Sequence, residues 1–479
     1  MDRHGGRHRQ PCTALVNANM HNDTASQASL KSRMLKAAGW LVGGNLMSQL
    51  LRLVSNLILT RLLLPEAFGL VAAVNTLYFA LVMFSDFGIW QSVVRSPHGE
   101  HPRFLGTAWM VQLLRGVVLC AIVLAMALML HWGAAAGWFA LGTVYTDERL
   151  PLMMVVFSGS ALIQGLESMK LALAQRELQG GRLARLEITT QLVAMAVTLT
   201  LALLTRSVWS LLVGTLAASA TRTLMSHFYL VGPSARPCWD SLYAKEILGF
   251  GKWIFISSII GFLAAHGEKL ILGGTLSTSV FGIFSIASTL LAAVVGLYGA
   301  LNAHVIFSSL SMAQRADHAE ARRVYTKVQQ LADAMLALLA GLLCTSGQWA
   351  VWLMYDARYH EAGWMLQGLG LTLLAIRYQV IEQYMFAHGR PAWVSANNAL
   401  RTLGLLFLVP LGYQLGQTPG AIAGVVVSQF ASWPLSLWFK WRNGLLTWAS
   451  EAVWPAVLLL GMGLGWLIDR GLIALLGAR

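Results

Sequence analysis

Long apolar runs separated by short polar breaks follow one another along the chain. A helix must satisfy its own backbone hydrogen bonds in lipid and needs about 20 apolar residues to cross a bilayer, which these runs provide. Runs such as VVLCAIVLAMALML lack the alternation of a membrane β-barrel strand. The pattern predicts an all-α, polytopic transmembrane helical bundle of about 12–14 spans. Thirteen spans are predicted, at residues 38–60, 67–90, 106–131, 151–172, 185–205, 208–230, 250–272, 279–307, 326–346, 361–386, 392–414, 420–439 and 452–470.

One stretch of this pattern occurs twice. The segment LTRLLLPEAFGLVAAVN, which starts at Leu59, returns in similar form as LGGTLSTSVFGIFSIAS, 213 residues later. The match pairs Phe68-Gly69 with Phe281-Gly282, and in both copies the pair opens the second span of a six-span unit. Chance similarity between two apolar stretches is the alternative. We interpret the match as an internal repeat and expect its Phe-Gly pair to permit close helix packing.

The repeat predicts the organisation of the domains. Six spans separate the two copies, so both halves run in the same direction through the membrane. Parallel repeats of this kind commonly build transporters. We therefore predict two pseudo-symmetric six-helix halves around a central cavity. The predicted divisions are a polar cytoplasmic tail at 1–36, the halves at 37–232 and 233–440, and an additional span within 441–479.

Composition agrees with a membrane protein. Hydrophobic residues make up 56% of the chain and charged residues 11%, and the mean hydropathy is +0.61. Soluble domains keep about 25% charged residues. The loops are too short for a separate catalytic domain, so we do not expect an enzyme. The four cysteines are scattered and form no metal or disulfide motif, and no cofactor is expected.

The net charge of +13 is explained by topology rather than by nucleic acid. Cytoplasmic loops are rich in Lys and Arg. Five basic residues lie in one set of alternate loops: Arg61, Arg149, Arg206, Lys269 and Arg358. Sixteen lie in the other set: Arg95, Arg103, Lys170, Arg176, Arg182, Arg185, Arg236, Lys245, Lys252, Arg315, Arg322, Arg323, Lys327, Arg390, Lys440 and Arg442. This distribution predicts a cytoplasmic amino terminus.

Polar residues inside the predicted spans are the candidates for function. A charge at mid-bilayer costs about 3 kcal/mol, so such residues face the bundle interior or a wet cavity. Asn45, Gln49, Arg52 and Asn56 follow at spacings of four, three and four, which places them on one helical face. Guanidinium groups suit phosphate oxygens, and amides suit sugars. Further cavity candidates are Arg115, Arg222, Arg377 and Arg401, each with a structural hydrogen bond or snorkelling toward an interface as the alternative.

Two carboxylates, Glu167 and Glu382, are candidate ion-coupling sites, since a buried carboxylate that takes up a proton can reset an empty carrier. Glu382 could equally neutralise Arg377. Glu268 and Lys269 could pair with each other near the bilayer surface.

Several segments together resemble the polysaccharide and O-antigen flippases of the multidrug/oligosaccharidyl-lipid/polysaccharide exporter superfamily. TRLLLPEAFGLVAAV is similar to the family's turn after the first span, and FSDFGIWQSVVRS to the end of its second. LALAQRELQGGRLARLEITTQLV is similar to its fourth-to-fifth connection, and ILGFGKWIFISSIIGFLAAHGEKLILGG to the opening of its second half. The match runs from about residue 37 to 445, with Glu268 where an Asp is usual.

The resemblance implies translocation of an undecaprenyl-diphosphate-linked oligosaccharide across the bacterial inner membrane by alternating access, for exopolysaccharide, capsule or O-antigen. It implies a proton or sodium gradient as the energy source, and other glycan assembly proteins as partners. A lipid II or drug exporter of the same superfamily is the first alternative. A drug exporter would favour acidic cavity residues, whereas the charges inside these spans are mainly Arg. A membrane glycan polymerase is the second alternative, and the short loops disfavour it.

Overall fold

The computed structural model describes residues 39–476, except 234, 303–305, 307–308, 311–312, 314–316 and 389. The predicted tail at 1–36 lies outside the described residues. The described residues form helices and no strand, and helical segments occupy all thirteen predicted span positions.

The first half contains eight helices, because two of its predicted spans are interrupted. They are α1 (residues 39–62), α2 (Pro65–Phe84), α3 (Ile89–Arg95), α4 (Pro102–Ala135), α5 (Arg149–Gly165), α6 (Lys170–Arg176), α7 (Gly180–Thr205) and α8 (Trp209–Phe228).

The second half and the final span follow in the same order along the chain. Their helices are α9 (Ser241–Gly273), α10 (Thr278–Leu301), α11 (His318–Met354), α12 (Ala362–Gly370), α13 (Leu373–Ile376), α14 (Gln379–Ala387), α15 (Pro391–Gln429), α16 (Trp433–Arg442), α17 (Trp448–Glu451) and α18 (Val453–Leu476). Gly416 and Gln417 have non-helical backbone angles, so α15 consists of two helices joined at a kink, and these correspond to the eleventh and twelfth predicted spans.

The helices have the length and the surface of a multi-pass membrane protein. Seven helices of the described residues are long and apolar enough to cross a membrane, and α5 with α6 would form an eighth span bent by 60°. Large apolar side chains point outward, and Leu114 and Leu203 are 55% and 62% exposed. Extended apolar patches are rare on the surface of soluble monomers. A surface with many exposed apolar side chains is typical of a protein that lipid surrounds.

The predicted second span, at 67–90, is wrong at its end. Helix α2 stops at Phe84, and the separate helix α3 starts at Ile89. A carboxylate oxygen of Asp86 accepts a hydrogen bond of 2.9 Å from the backbone N–H of Gly88, which has a φ of +62°. Only glycine adopts that conformation readily. Asp86 therefore builds the turn between the two helices.

Two other predicted spans, the fourth and the tenth, are broken rather than continuous. The fourth divides into α5 and α6, and the tenth into α12, α13 and α14. At the first break, the Gln112 side chain donates hydrogen bonds of 3.0 Å to the carbonyl oxygens of Gln164 and Glu167. Backbone groups released inside a membrane need such partners. The break turns the side chain of Glu167 into the bundle.

The two copies of the repeated Phe-Gly pair meet each other in the fold. Helix α2 packs along α10, so that Gly69 lies against Thr278 and Gly282 lies against Pro65. A β-carbon on either glycine would overlap the facing carbonyl oxygen. The expected close packing of the pair is confirmed, and it joins one half of the bundle to the other.

This crossing should tolerate no side chain. We expect Gly282→Ala to lower the apparent Tm of the detergent-purified protein, since overpacking costs about 1–3 kcal/mol. The matched control is Gly299→Ala on the same helix, where a β-carbon meets nothing within 4 Å. The control should keep or raise the Tm, because Ala is the better helix former. Equal Tm values for both variants would contradict the close crossing.

Candidate functional site

A polar cavity of about 720 Å³ lies between α1, α2, α5, α7 and α8 of the first half, and Thr289 on α10 of the second half also lines it. This volume is within the usual range for small-molecule sites, about 300–1,000 Å³. Its charged lining residues are Arg52, Glu167, Glu187 and Arg222. Its neutral polar lining includes Asn56, Asn75, Gln164, Thr190, Gln191 and Ser219.

Arg52 is an exposed cation that lines this cavity. It lies midway along α1, and it makes no hydrogen bond or ion pair with any described residue. Thr190 on α7 is 8% exposed, and its hydroxyl oxygen has no hydrogen-bond partner among the described residues. Buried polar groups are nearly always hydrogen-bonded, so the cavity offers free donors and acceptors to a polar ligand.

Arg222, in contrast, is held by two carboxylates. Its Nε lies 3.1 Å from Glu167 and its Nη1 lies 2.9 Å from Glu187. The three residues come from α8, from the break after α5, and from α7. Together they form a compact anion–cation–anion group that we call the Arg222 triad.

The predicted polar face of α1 divides between three environments. Arg52 and Asn56 line the main cavity. Asn45 lines an adjoining pocket of about 280 Å³ near Trp90. The Gln49 amide lies against α10, 3.6 Å from the position a β-carbon on Gly296 would take.

Arg115 does not reach the main cavity. Its guanidinium donates hydrogen bonds of 2.7 Å to the carbonyl oxygen of Val82 and 3.1 Å to the Ser85 hydroxyl. These bonds satisfy the carboxyl end of α2, where the last carbonyls lack helical partners. The main contacts of Arg115 are thus structural hydrogen bonds, which was the alternative to a cavity role. Arg115 also borders a pocket of about 110 Å³ next to Glu167.

A second cavity, of about 400 Å³, lies within the second half. Arg401 on α15 lines it and donates a 3.0 Å hydrogen bond to Glu382 and another to the Ser432 hydroxyl. Glu268 and Lys269 line the same cavity. Glu382 therefore pairs with Arg401. The alternative prediction, in which Glu382 neutralises Arg377, is wrong.

The prediction that Arg377 faces a cavity is wrong. Its side chain is 1% exposed and forms ion pairs of 3.2 Å with Asp333 and 2.7 Å with Glu451. The guanidinium also lies 4.8 Å from the Trp454 ring centre. Lys440, equally buried, contacts the other oxygen of Glu451. Arg377 thus belongs to a buried network that fastens the final span to the second half.

Sequence reasoning missed Glu187 and the face of α7 that carries it. Glu187, Gln191, Ala194 and Thr198 all line the main cavity. Their spacings of four, three and four repeat those of the polar face on α1. The same criterion therefore identifies both walls of the cavity. The described residues contain no cluster of His, Cys, Asp and Glu suited to a metal ion.

Comparisons with known proteins agree in both sequence and fold. A family model described as "Polysaccharide biosynthesis protein" matches residues 58–363. The lipopolysaccharide biosynthesis protein WzxC of Escherichia coli (strain K12) is 23% identical over 415 residues, which cover 85% of this chain and 81% of WzxC.

Solved structures with a similar fold include a lipid II flippase, MurJ, in an inward closed conformation. Its TM-score is 0.68 at 11% sequence identity, and the match covers 90% of this chain and 92% of MurJ. An inward-facing MATE family multidrug transporter of the MOP superfamily gives 0.58 at 13% identity, covering 85% and 96%. At these identities the likeness shows a shared fold.

The buried network around Arg377 gives a stability prediction. Glu451→Gln leaves two buried cations short of an anion, and breaking a buried ion pair costs about 3–5 kcal/mol. We expect a lower Tm and less folded protein on size-exclusion chromatography. The control is Glu100→Gln, whose side chain is 67% exposed and pairs with Arg176. A surface pair contributes about 0–1 kcal/mol, so an equal loss in both variants would contradict the buried network.

Proposed function

This chain belongs to the polysaccharide biosynthesis protein family, and from that premise we propose that it moves a lipid-linked oligosaccharide across the bacterial cytoplasmic membrane. The proposed substrate is an undecaprenyl-diphosphate-linked glycan that passes from the inner to the outer leaflet. The similarity to WzxC and the fold shared with a lipid II flippase support this function.

The observation that carries the proposal is the cavity with Arg52, which has no ion-pair partner in the part of the chain that the structure describes. A diphosphate that enters the hydrocarbon region alone loses its hydration at a prohibitive cost. Arg52 provides guanidinium donors for its oxygens, and the amides and hydroxyls of Asn56, Gln191 and Thr190 suit sugar hydroxyls. The polyprenyl tail would stay in the lipid.

The proposed cycle is alternating access, with the amino terminus in the cytoplasm. The turns at 63–64 and 274–277 would then lie at the periplasmic end. Contacts between the halves close this end, since the Tyr145 hydroxyl donates 2.8 Å to the Leu270 carbonyl and the Tyr359 hydroxyl donates 2.9 Å to the Leu63 carbonyl. Release of the glycan requires these contacts to separate.

The energy source in this proposal is a proton or sodium gradient, for which Glu167 and Glu382 remain the candidate sites. Other glycan assembly proteins would deliver and receive the substrate. Lipid II, another polyprenyl diphosphate, would suit the same cavity chemistry. A drug exporter fits less well, because both carboxylates of the cavity, Glu167 and Glu187, pair with Arg222, and neither is left to bind an organic cation.

A deletion strain tests the function itself. We expect lipid-linked oligosaccharide to accumulate in the inner leaflet and surface polysaccharide to be lost. Absence of any accumulation would count against a flippase. A glycosyl-transfer assay on the purified protein separates the enzyme class, because joining of sugar units without other enzymes would identify a polymerase instead.

Arg52 gives the sharpest test of the cavity. We expect Arg52→Ala to abolish export while the protein still inserts, and Arg52→Lys to retain part of it, because Lys keeps the charge but not the bidentate geometry. Surface polysaccharide is measured against membrane protein level. Arg61→Ala, at an exposed site on the same helix, is the control. Full export by Arg52→Ala would exclude Arg52 from the substrate site.

Opening of the proposed periplasmic end can be tested by cross-linking. Thr143 and Ser277 face each other in an antiparallel bridge between the halves. Opposed residues in such a pair have Cα atoms about 4.5–5.5 Å apart, which a disulfide can span. In a background without the native cysteines, oxidation of Thr143→Cys with Ser277→Cys should stop export, and reductant should restore it. Each single variant is the control, and export by the cross-linked protein would contradict opening at this end.

A further inference from the structure

The Arg222 triad lies where separate cavities meet. Arg222 and Glu187 line both the main cavity and the adjoining pocket of about 280 Å³. Glu167 lines both the main cavity and the pocket of about 110 Å³ that holds Tyr78 and Arg115. A ligand in the main cavity therefore meets the triad at its wall.

The charges of the main cavity cancel. Two cations, Arg52 and Arg222, face two anions, Glu167 and Glu187, and the other lining residues are uncharged. A diphosphate esterified at both ends carries a negative charge on each phosphate. Its binding would leave the cavity with an uncompensated negative charge, and buried unpaired charge is strongly unfavourable.

The triad also occupies the donors that a diphosphate needs. Nε and Nη1 of Arg222 face the two carboxylates, at 3.1 and 2.9 Å. These carboxylates stand where phosphate oxygens would bind, so the empty protein supplies its own anions to Arg222. A ligand can bind Nε or Nη1 of Arg222 only after the carboxylate that faces that nitrogen has been displaced.

We propose that the diphosphate of the substrate displaces Glu167 and Glu187 from Arg222, and that Glu167 takes up a proton as it is displaced. The inference rests on the proposed function and deepens it, because it couples substrate loading to protonation of one named group. The proton comes from water and joins the carboxylate oxygen that Arg222 releases. When the substrate leaves, Glu167 loses the proton and pairs with Arg222 again. A proton that moves outward with the glycan travels against an inward proton gradient, so in this exchange it offsets the charge of the diphosphate and does not supply the energy of transport. Glu382 is then the candidate site for the driving ion.

The two carboxylates differ in their access to water. The side chain of Glu187 is 41% exposed, whereas that of Glu167 is 12% exposed. A displaced Glu187 is hydrated and keeps its charge, but a displaced Glu167 stays buried and is neutralised instead. The titratable and charged groups on the elements packed around Glu167 are Arg52 (α1), Tyr78 (α2), Arg115 and Cys120 (α4), Lys170 (α6), Glu187 (α7), and Arg222 and His227 (α8).

Lys170 and Arg115 do not replace Arg222 as partners of Glu167. The ammonium of Lys170 donates a 2.9 Å hydrogen bond to the carbonyl oxygen of His227. The guanidinium of Arg115 donates its hydrogen bonds to the Val82 carbonyl oxygen and the Ser85 hydroxyl. Arg52, the remaining cation of the cavity, is assigned to the diphosphate in this proposal. A proton is therefore the counter-charge for a displaced Glu167.

The test measures binding and proton uptake together. The purified full-length protein in detergent is titrated with geranyl diphosphate N-acetylglucosamine, whose doubly esterified phosphates do not titrate near neutral pH. Calorimetry in buffers of different ionisation enthalpy gives the number of protons taken up. For the wild type we expect uptake of about one proton and an affinity that rises about tenfold for each pH unit lowered.

The variants separate the two carboxylates. Glu167→Gln should bind about tenfold more tightly at neutral pH, with no proton uptake and a flat pH profile. Glu187→Gln should also bind more tightly but keep the proton uptake. Glu100→Gln, at an exposed ion pair, is the control and should match the wild type.

Other outcomes of the titration would contradict either the diphosphate site or the proton exchange at Glu167. No binding of the probe by wild type or variants would overturn the diphosphate site and the proposed function with it. Binding without proton uptake, or with the same uptake in Glu167→Gln, would overturn the exchange alone. Uptake of sodium instead of protons, seen as an affinity that depends on sodium but not on pH, would also overturn it.

Discussion

The contact between α2 and α10 is the constraint on which the architecture depends. Gly69 and Gly282 let two backbones approach until each meets the other's carbonyl oxygen. Apolar attraction between helices is weak in lipid, so close packing of small residues is what holds them together. Leu63 and Leu276, which also match in the repeat, are buried in the same core. Each half therefore supplies one copy of the motif, and each copy packs against the helix that carries the other copy.

The interior follows a second rule, that buried charged side chains among the described residues are paired with opposite charges. Arg377 lies between Asp333 and Glu451, and Arg401 pairs with Glu382. Arg52 faces a cavity with no partner among the described residues. The paired cation at the cavity comes from different helices in the two halves: Arg222 on α8 in the first half and Arg401 on α15 in the second. A common frame thus encloses two cavities of different chemistry.

The sequence predicted where the helical segments lie and in what order, because the length of the apolar runs decides them. It also predicted that the Phe-Gly pair permits close helix packing, but not that the two copies of the pair pack against each other. It could not distinguish Arg52 from Arg377, because both lie amid apolar residues and differ only in distant partners such as Glu451. The breaks after Phe84 and Gly165 escaped it because the polar residues at each break, Ser85-Asp86 and Glu167-Ser168, are few and have apolar runs on both sides. Their cause is local, in the positive φ of Gly88 and in the Gln112 amide.

The break between α5 and α6 has a mechanical meaning. Gln112 satisfies its carbonyl groups, Ser226 accepts a 2.9 Å hydrogen bond from the backbone N–H of Ser168, and Thr223 donates to the Ile163 carbonyl. A joint with its hydrogen bonds already supplied by side chains can change its angle without exposing backbone to lipid. Glu167 lies at this joint, between helices that cross the membrane and a short helix at their end. A change in the charge of Glu167 would therefore act directly on the angle between α5 and α6, and through α6 on the end of the bundle.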